Sequence, residues 1–256
     1  MSLGHFVAVL LAGCAAGTIN TIVGSGSLIT FPTLLALGYS PLVANVSNNI
    51  GLVPGSLSGA IGYRRELAGQ RRRLARLVPA SALGALVGST LLLVLPSDVF
   101  DNVVVVLVIA ALVLVVTGPM LSKRLAARRA ARAGEHRDVT PLLWALVAAA
   151  GVYGGYFGAA QGIILISVLG ILIDDGLQHL NATKNVLALT VNGVAAVVFI
   201  ATTEVNWAVA GTIAIGATAG GQIGARYGRR LDPRLLRGVI VVVGLTAVLR
   251  LLGVVG

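Results

Sequence analysis

Apolar runs separated by short polar segments cover most of the chain, at 3–22, 27–37, 45–62, 77–95, 102–121, 141–160, 163–173, 182–202, 207–224 and 236–255. Several of them, at 17 residues or more, match a membrane crossing. The pattern predicts an all-α polytopic membrane protein. At about 1.5 Å per residue a run of about 20 spans the ~30 Å hydrocarbon layer. The runs 27–37 and 163–173 are too short and would reach about half way. Each follows a break, Gly24-Ser25-Gly26 or Ala160-Gln161-Gly162. Each pair therefore reads as a helix, a loop within the membrane, and a half-length helix returning to the side it came from.

The plan occurs twice. Displacing the sequence by 136 residues sets Gly26 on Gly162, Asn45 on Asn181, Ser47 on Thr183 and Asn49 on Asn185, without a gap. The loop after the first Asn-rich segment is basic (Arg64, Arg65, Arg71, Arg72, Arg73, Arg76), whereas its counterpart, Thr202–Asn206, carries no Lys or Arg. One loop later the charges exchange: Pro96-Ser97-Asp98 in the first copy, Arg226, Arg229, Arg230, Arg234 and Arg237 in the second. Basic loops stay on the cytoplasmic side. A re-entrant pair makes no net crossing, and three full crossings follow it. The second copy is therefore expected upside down relative to the first, an architecture of secondary transporters. The expected organisation is a repeat at 1–121, a basic cytoplasmic linker at 122–140 and an inverted repeat at 141–256. Both termini are expected outside, in the cytoplasmic membrane of the cell.

Composition agrees. Apolar residues make up 57% of the chain and charged ones 11%, against roughly 45–50% and about 25% in soluble domains, and the mean hydropathy is +0.94. A net charge of +10 suggests nucleic acid only until the charges are placed. Of 19 Lys and Arg, 17 fall in 64–76, 123–137 and 226–237, between apolar runs. That is a topology signal and a basis for contact with anionic lipid, not a nucleic-acid footprint. The single Cys14 leaves no internal disulfide and no Cys-based metal site. Trp144, Trp207, Tyr39, Tyr63 and Tyr227 lie near run ends, as interfacial anchors do. Glycines every fourth position (Gly51, Gly55, Gly59; Gly154, Gly158, Gly162; Gly216, Gly220, Gly224, Gly228) would line helix faces that let backbones approach closely.

The two breaks carry the sharpest chemical signal. Unpaired backbone N–H and C=O groups at membrane depth cost several kcal/mol each unless protein or a wet cavity serves them. Half-helices beginning near Ser27 and Ile163 would aim free N–H groups and the positive ends of their dipoles inward. That makes an anion site without a charged side chain. Ser25, Gly26, Ser27, Gln161 and Gly162 are its candidate lining, with Thr30 as a further donor. A second constellation is Asn45, Asn48 and Asn49, matched by Asn181, Lys184 and Asn185, with Asn20 and Asn192 on neighbouring runs. Positions i, i+3 and i+4 share a helix face. Asn binds an oxyanion without a permanent charge to desolvate, and serves equally for hydrogen bonding between helices. Lys184 stands where the first copy has Asn48, and only it and Arg250 are cations outside the three basic loops. It would either supply the site's one positive charge or snorkel to the interface.

All nine carboxylates (Glu66, Asp98, Asp101, Glu135, Asp138, Asp174, Asp175, Glu204, Asp232) lie in loops or at run ends. No intramembrane acid is available to bind Na⁺ or relay a proton in the usual way. His179, with Asp174 and Asp175, is the one titratable group beside the second half-helix. No catalytic residue, metal or cofactor is expected. Ser25 with His179 makes the only hydrolase reading, and it lacks a group to orient the base. A transporter of small anions, an anion channel using the same site, and an intramembrane hydrolase are the three readings, in that order. The expected partners are the substrate anion and the bilayer.

The run Gly17-Thr18-Ile19-Asn20, then Val23-Gly24-Ser25-Gly26-Ser27-Leu28-Ile29-Thr30-Phe31-Pro32, then Ala44-Asn45 with Asn48, and Gly55-Ser56-Leu57-Ser58-Gly59 resembles the TauE/SafE sulfite-exporter family of permeases. The resemblance covers nearly the whole length, strongest over 13–63 and weaker over 151–202. The second copy departs from it, with Ala159-Ala160-Gln161 where glycines are common and Ser167-Val168 where a Pro is frequent. It implies transport of sulfur-containing anions such as sulfite, sulfoacetate or other organosulfonates, without ATP hydrolysis by the chain itself.

Overall fold

The computed structural model describes residues 1–130, 139–228 and 233–252, which form ten helices and no strand. These are α1 (Leu3–Ile22), α2 (Ser27–Ala36), α3 (Pro41–Gly62), α4 (Arg71–Val94), α5 (Ser97–Ala130), α6 (Pro141–Tyr156), α7 (Gln161–Leu172), α8 (Leu177–Thr202), α9 (Trp207–Tyr227) and α10 (Pro233–Leu251). Their limits follow local chemistry. Pro41 and Pro141 sit in first turns, where a missing N–H costs nothing. Ser2, Thr140 and Asn206 cap α1, α6 and α9 by accepting from the N–H groups of His5, Leu143 and Val209. Five helical segments are long and apolar enough to cross a membrane by length and composition: α1, α4, 99–118 of α5, α8 and α9. The helix α5 runs beyond the apolar stretch to Ala130, so the expected linker begins as helix, as strong helix formers Ala, Leu and Arg favour. Residues 131–138 of that linker, and Arg229 and Arg230 of the last basic loop, lie outside the described residues.

The helices do not group by repeat. Helix α9 packs along α1 and α3, whereas α4 packs along α6 and α8. Under the 136-residue displacement α4 and α9 are counterparts, so each half lends its fourth helix to the other. Glycine makes both seams possible. A Cβ at Gly216, Gly220 or Gly224 of α9 would strike the backbone of Leu10, Cys14 or Thr18 on α1. A Cβ at Gly84 or Gly88 of α4 would strike Ala148 or Val152 on α6. Helices α1, α3 and α9 run in one direction, since Gly13 and Gly51 both abut Ile213 while Gly17 and Gly55 both abut Ala217. Helices α3 and α8 pass in opposite directions. Ser56 meets Asn192 late in α8, whereas Gly59 abuts Thr21, whose carbonyl is reached by Asn181 and Asn185 near the start of α8.

Two expectations need correction. Gly154, Gly158 and Gly162 do not form one helical stripe, because the helix stops at Tyr156 and Gly158 has a φ of +78° within the break. Tyr63 is buried rather than interfacial, because the next turn folds over it, with the Glu66 and Leu67 N–H groups donating to its carbonyl at 3.0 and 3.2 Å. Trp207 and Tyr227 are exposed. So are large apolar side chains along the outer faces, among them Leu83, Val87 and Val94 on α4 and Val106, Val113 and Val116 on α5. An apolar exterior of this extent suits lipid as solvent.

Candidate functional site

The two breaks meet. Between α1 and α2 the chain turns through Gly24, with φ +88°, and α2 then folds back so tightly that a Cβ on Gly26 would collide with the Ala16 carbonyl. Ala16 adjoins the layer of Gly17, Gly55 and Ala217, half way along α9. Between α6 and α7 the counterpart of Gly24 is Ala160, which holds the same left-handed conformation at φ +59° despite its Cβ. Gly24 and Gly162 touch backbone to backbone, and the Gly162 N–H donates to the Gly24 carbonyl at 2.9 Å. Only glycines permit that approach, since a Cβ on either would land on the other's Cα.

The half-helices begin at this junction without side-chain caps. At α2 the N–H groups of Ser25, Gly26 and Ser27 have no acceptor among the described residues. At α7 the arrangement is less open: the Gln161 and Gly162 N–H groups are taken by the carbonyls of Gly158 and Gly24. The two expected anion-binding ends are therefore unequal, with α2 keeping more free donors. Ser25 and Gln161, counterparts under the displacement, are 1% and 3% exposed, and neither Ser25 Oγ nor Gln161 Nε2 has a hydrogen-bond partner. Buried donors without partners are rare in native structures and call for an explanation. The Gln161 amide lies against the bare backbone of Gly154, where a Cβ would displace it.

The Asn-rich helices supply the walls. Asn48 accepts a hydrogen bond from Thr30 on α2, which leaves its amide N–H groups free to donate. Asn49 is buried with an unpartnered Oδ1. Asn45, by contrast, donates to the carbonyl of Tyr156 at 3.0 Å, at the end of α6. Its counterpart Asn181 donates to the carbonyl of Thr21 at 3.3 Å, at the end of α1, and Asn185 joins it at 3.4 Å. Each Asn-rich helix thus closes the end of the broken helix in the opposite half. Asn20 and Asn192 both donate to Ser56 Oγ, at 3.5 and 3.2 Å. Ser56 escapes a reading of single positions, although it is the displaced counterpart of Asn192.

Lys184 does not snorkel. It is 1% exposed, and its Nζ donates to the carbonyls of Asn20 at 3.0 Å and Thr21 at 3.2 Å. Those carbonyls form the negative end of the α1 dipole, a favourable place for a cation. No carboxylate reaches it among the described residues. His179 lies apart from the junction: its Nδ1 is 2.9 Å from Asp175 Oδ1, and Asp175 Oδ2 accepts from Arg73 at 2.6 Å. No base reaches Ser25 in the described structure. The described residues also contain no cluster of His, Cys, Asp or Glu able to hold a metal.

The sequence profile of the family described as Sulfite exporter TauE/SafE matches residues 9–251. A Sinorhizobium protein named "Probable membrane transporter protein ORF9" is 29% identical over 97% of this chain and 93% of its own length. "Probable membrane transporter protein YfcA" of Escherichia coli K12 is also 29% identical, over 93% of this chain and 84% of its own. A "Probable membrane transporter protein" of Haemophilus influenzae is 25% identical over 90% of this chain. No solved structure matches. An apolar ten-helix fold and a profile match over nearly the full length agree: the chain belongs to the TauE/SafE family of membrane transporters.

Proposed function

We propose that the chain is a secondary transporter of small sulfur-containing oxyanions, such as sulfite or organosulfonates, across the cytoplasmic membrane. One observation carries the reading: buried donors without partners stand on both sides of the Gly24–Gly162 contact, one turn from a buried lysine that meets carbonyls and, among the described residues, no carboxylate. The donors are the N–H groups of Ser25, Gly26 and Ser27, Ser25 Oγ and Gln161 Nε2, with the free Asn48 amide beside them. An oxyanion is all acceptor, and a site of donors complements it. Removing a lysine from water costs several kcal/mol. Its two carbonyl bonds, worth about 1.5–3 kcal/mol each, offset that penalty without neutralising the charge. A monovalent or divalent anion supplies the missing counter-charge.

Alternating access in this reading does not rock one sequence repeat against the other. The bodies that move are α1–α3–α9, locked throughout by glycine seams, and α4–α6–α8, in which glycines lock α4 to α6 and α8 packs along α4. The bodies meet at α3–α8 and at the Gly24–Gly162 junction. In this reading the start of α4 and the end of α9 face the cytoplasm, which the positive-inside rule favours for their basic loops, both termini lie outside, and the halves span the bilayer in opposite orientations. Uptake of radiolabelled sulfite or sulfoacetate into proteoliposomes tests the substrate class, and chloride tests against a general anion carrier. Stimulation by anion on the opposite side marks a carrier, and its absence marks a channel. Equal uptake by protein-free liposomes overturns the reading.

A further inference from the structure

The basic loops of the two halves come together at one place that topology alone does not require. Beside the last turns of α3 and α9 the structure holds a cavity of about 560 Å³, with Arg64, Arg65 and Gln222 on its wall and Arg226 from the other half's basic segment facing them. Gly62 and Ala225 bring the two helices close at its floor: a Cβ on Gly62 would overlap that of Ala225. Three guanidiniums line the cavity against a single carboxylate, Glu66. Among the described residues Arg65 and Arg226 make no ion pair, and Arg64 donates to the carbonyl of Ile61 at 3.3 Å. The amide N–H groups of Gln222 are committed to Ser58, at 3.1 Å to its carbonyl and 2.9 Å to its hydroxyl. That leaves the Gln222 carbonyl oxygen as an acceptor at the rim.

The flanking surface is apolar. Leu57 and Ile61, on the α3 face that leads to Arg64 and Arg65, are exposed, and so is Ile215, two turns before Gln222 on α9. A guanidinium cluster at the end of an exposed apolar strip matches a ligand with an anionic head and a hydrocarbon tail, not a freely soluble anion. Basic pockets between helices on the cytoplasmic side bind acidic lipid headgroups on these grounds.

We propose that this cavity is a site for the phosphodiester headgroup of an anionic lipid. Arg64, Arg65 and Arg226 hold the phosphate oxygens, and Gln222 accepts from a headgroup hydroxyl, which favours a polyol head such as that of phosphatidylglycerol. The site is separate from the junction of the broken helices and does not depend on what is transported.

Native mass spectrometry of the full chain in neutral detergent tests it, with phosphatidylglycerol, phosphatidylcholine and inorganic phosphate offered in turn. The expected result is retention of phosphatidylglycerol over phosphatidylcholine. Arg64→Gln with Arg226→Gln should reduce that retention roughly 30-fold, at about 1 kcal/mol per basic residue. Arg71→Gln with Arg72→Gln removes equal charge from the exposed start of α4, outside the cavity, and should leave retention unchanged. An equal loss in both double variants overturns the site in favour of diffuse charge attraction. Displacement of phosphatidylglycerol by millimolar inorganic phosphate overturns the lipid in favour of a soluble ligand. Equal retention by wild type and the Arg64/Arg226 variant removes the cavity altogether.

Discussion

Ala160 occupies a conformation that its counterpart Gly24 reaches freely, and the mismatch has a measurable size. A left-handed residue with a Cβ costs roughly 1–2 kcal/mol, and the greater freedom of glycine in the unfolded chain returns about 0.4–1 kcal/mol of that. Ala160→Gly should therefore raise stability by up to about 1.6 kcal/mol, read as a higher melting temperature in detergent. Gly24→Ala should fail to give a stable protein, since it combines the left-handed φ with a collision on Gly162. Lys184→Met separates structure from function. It removes a costly buried charge while leaving the Asn20 carbonyl unpaired, and these oppose each other at about 1–3 kcal/mol. Thermal stability should change little while anion uptake falls tenfold or more; a large loss of stability with intact uptake would make Lys184 a purely structural cap. Gly154→Ala should lower uptake by displacing the Gln161 amide, with the fold retained. Of these residues, Asn45, Asn48, Asn181 and Lys184 stand out in the sequence because polar groups in apolar runs are few. Ala160 shows there only as part of a break and Gly154 only as part of a glycine spacing, because their own roles rest on a backbone angle and on a neighbour seven residues away.

The helices were legible because apolar runs of membrane length leave little room for another structure, and because Pro41, Pro141 and the Gly24 and Gly162 breaks punctuate them. Which helix lies beside which was not legible. Nothing in the order of the runs says that α4 leaves its own half for α6 and α8, since that depends on glycines matched across more than sixty positions, such as Gly84 on Ala148. The start of α4 is further pinned by a polar latch. Gln70 Nε2 donates to the carbonyl of His179 at 3.1 Å, Thr183 Oγ1 donates to Gln70 Oε1 at 2.5 Å, and Arg73 pairs with Asp175. Partial burial pushes the Asp175 carboxyl upward, but hydrogen bonds from Arg73, His179 and the Gly176 N–H outweigh it and hold the group below the usual carboxylate range. A lowered carboxyl stabilises the fold above its unfolded value of about 3.9 and loses that contribution only as pH falls through the lower, folded value. Hydrogen exchange across 173–183, corrected for intrinsic rates, should therefore be flat from neutral pH to about 5. Asp175→Asn should raise opening there a few-fold at all those pH values, in keeping with a partly exposed ion pair.

At the scale of the molecule the two glycine-seamed bodies predict which distances change during transport. With Cys14 replaced by Ser, spin labels at Leu3 on α1 and Trp207 on α9 lie within one body, and both positions are exposed. Their separation should hold when substrate is added. Labels at Leu3 and at Val94, the exposed end of α4, lie on different bodies and should shift. The reverse outcome would show that the sequence repeats, not the exchanged groups, are the moving parts.

The exchange of α4 and α9 also bears on how the chain is made. While the ribosome is still translating the second half, α4 has its glycine face turned to lipid, because α6 and α8 do not yet exist. The first half thus enters the bilayer as an unfinished product, and only synthesis through α9 closes both seams. Either half expressed alone should be degraded, and the two halves co-expressed as separate chains should rescue each other.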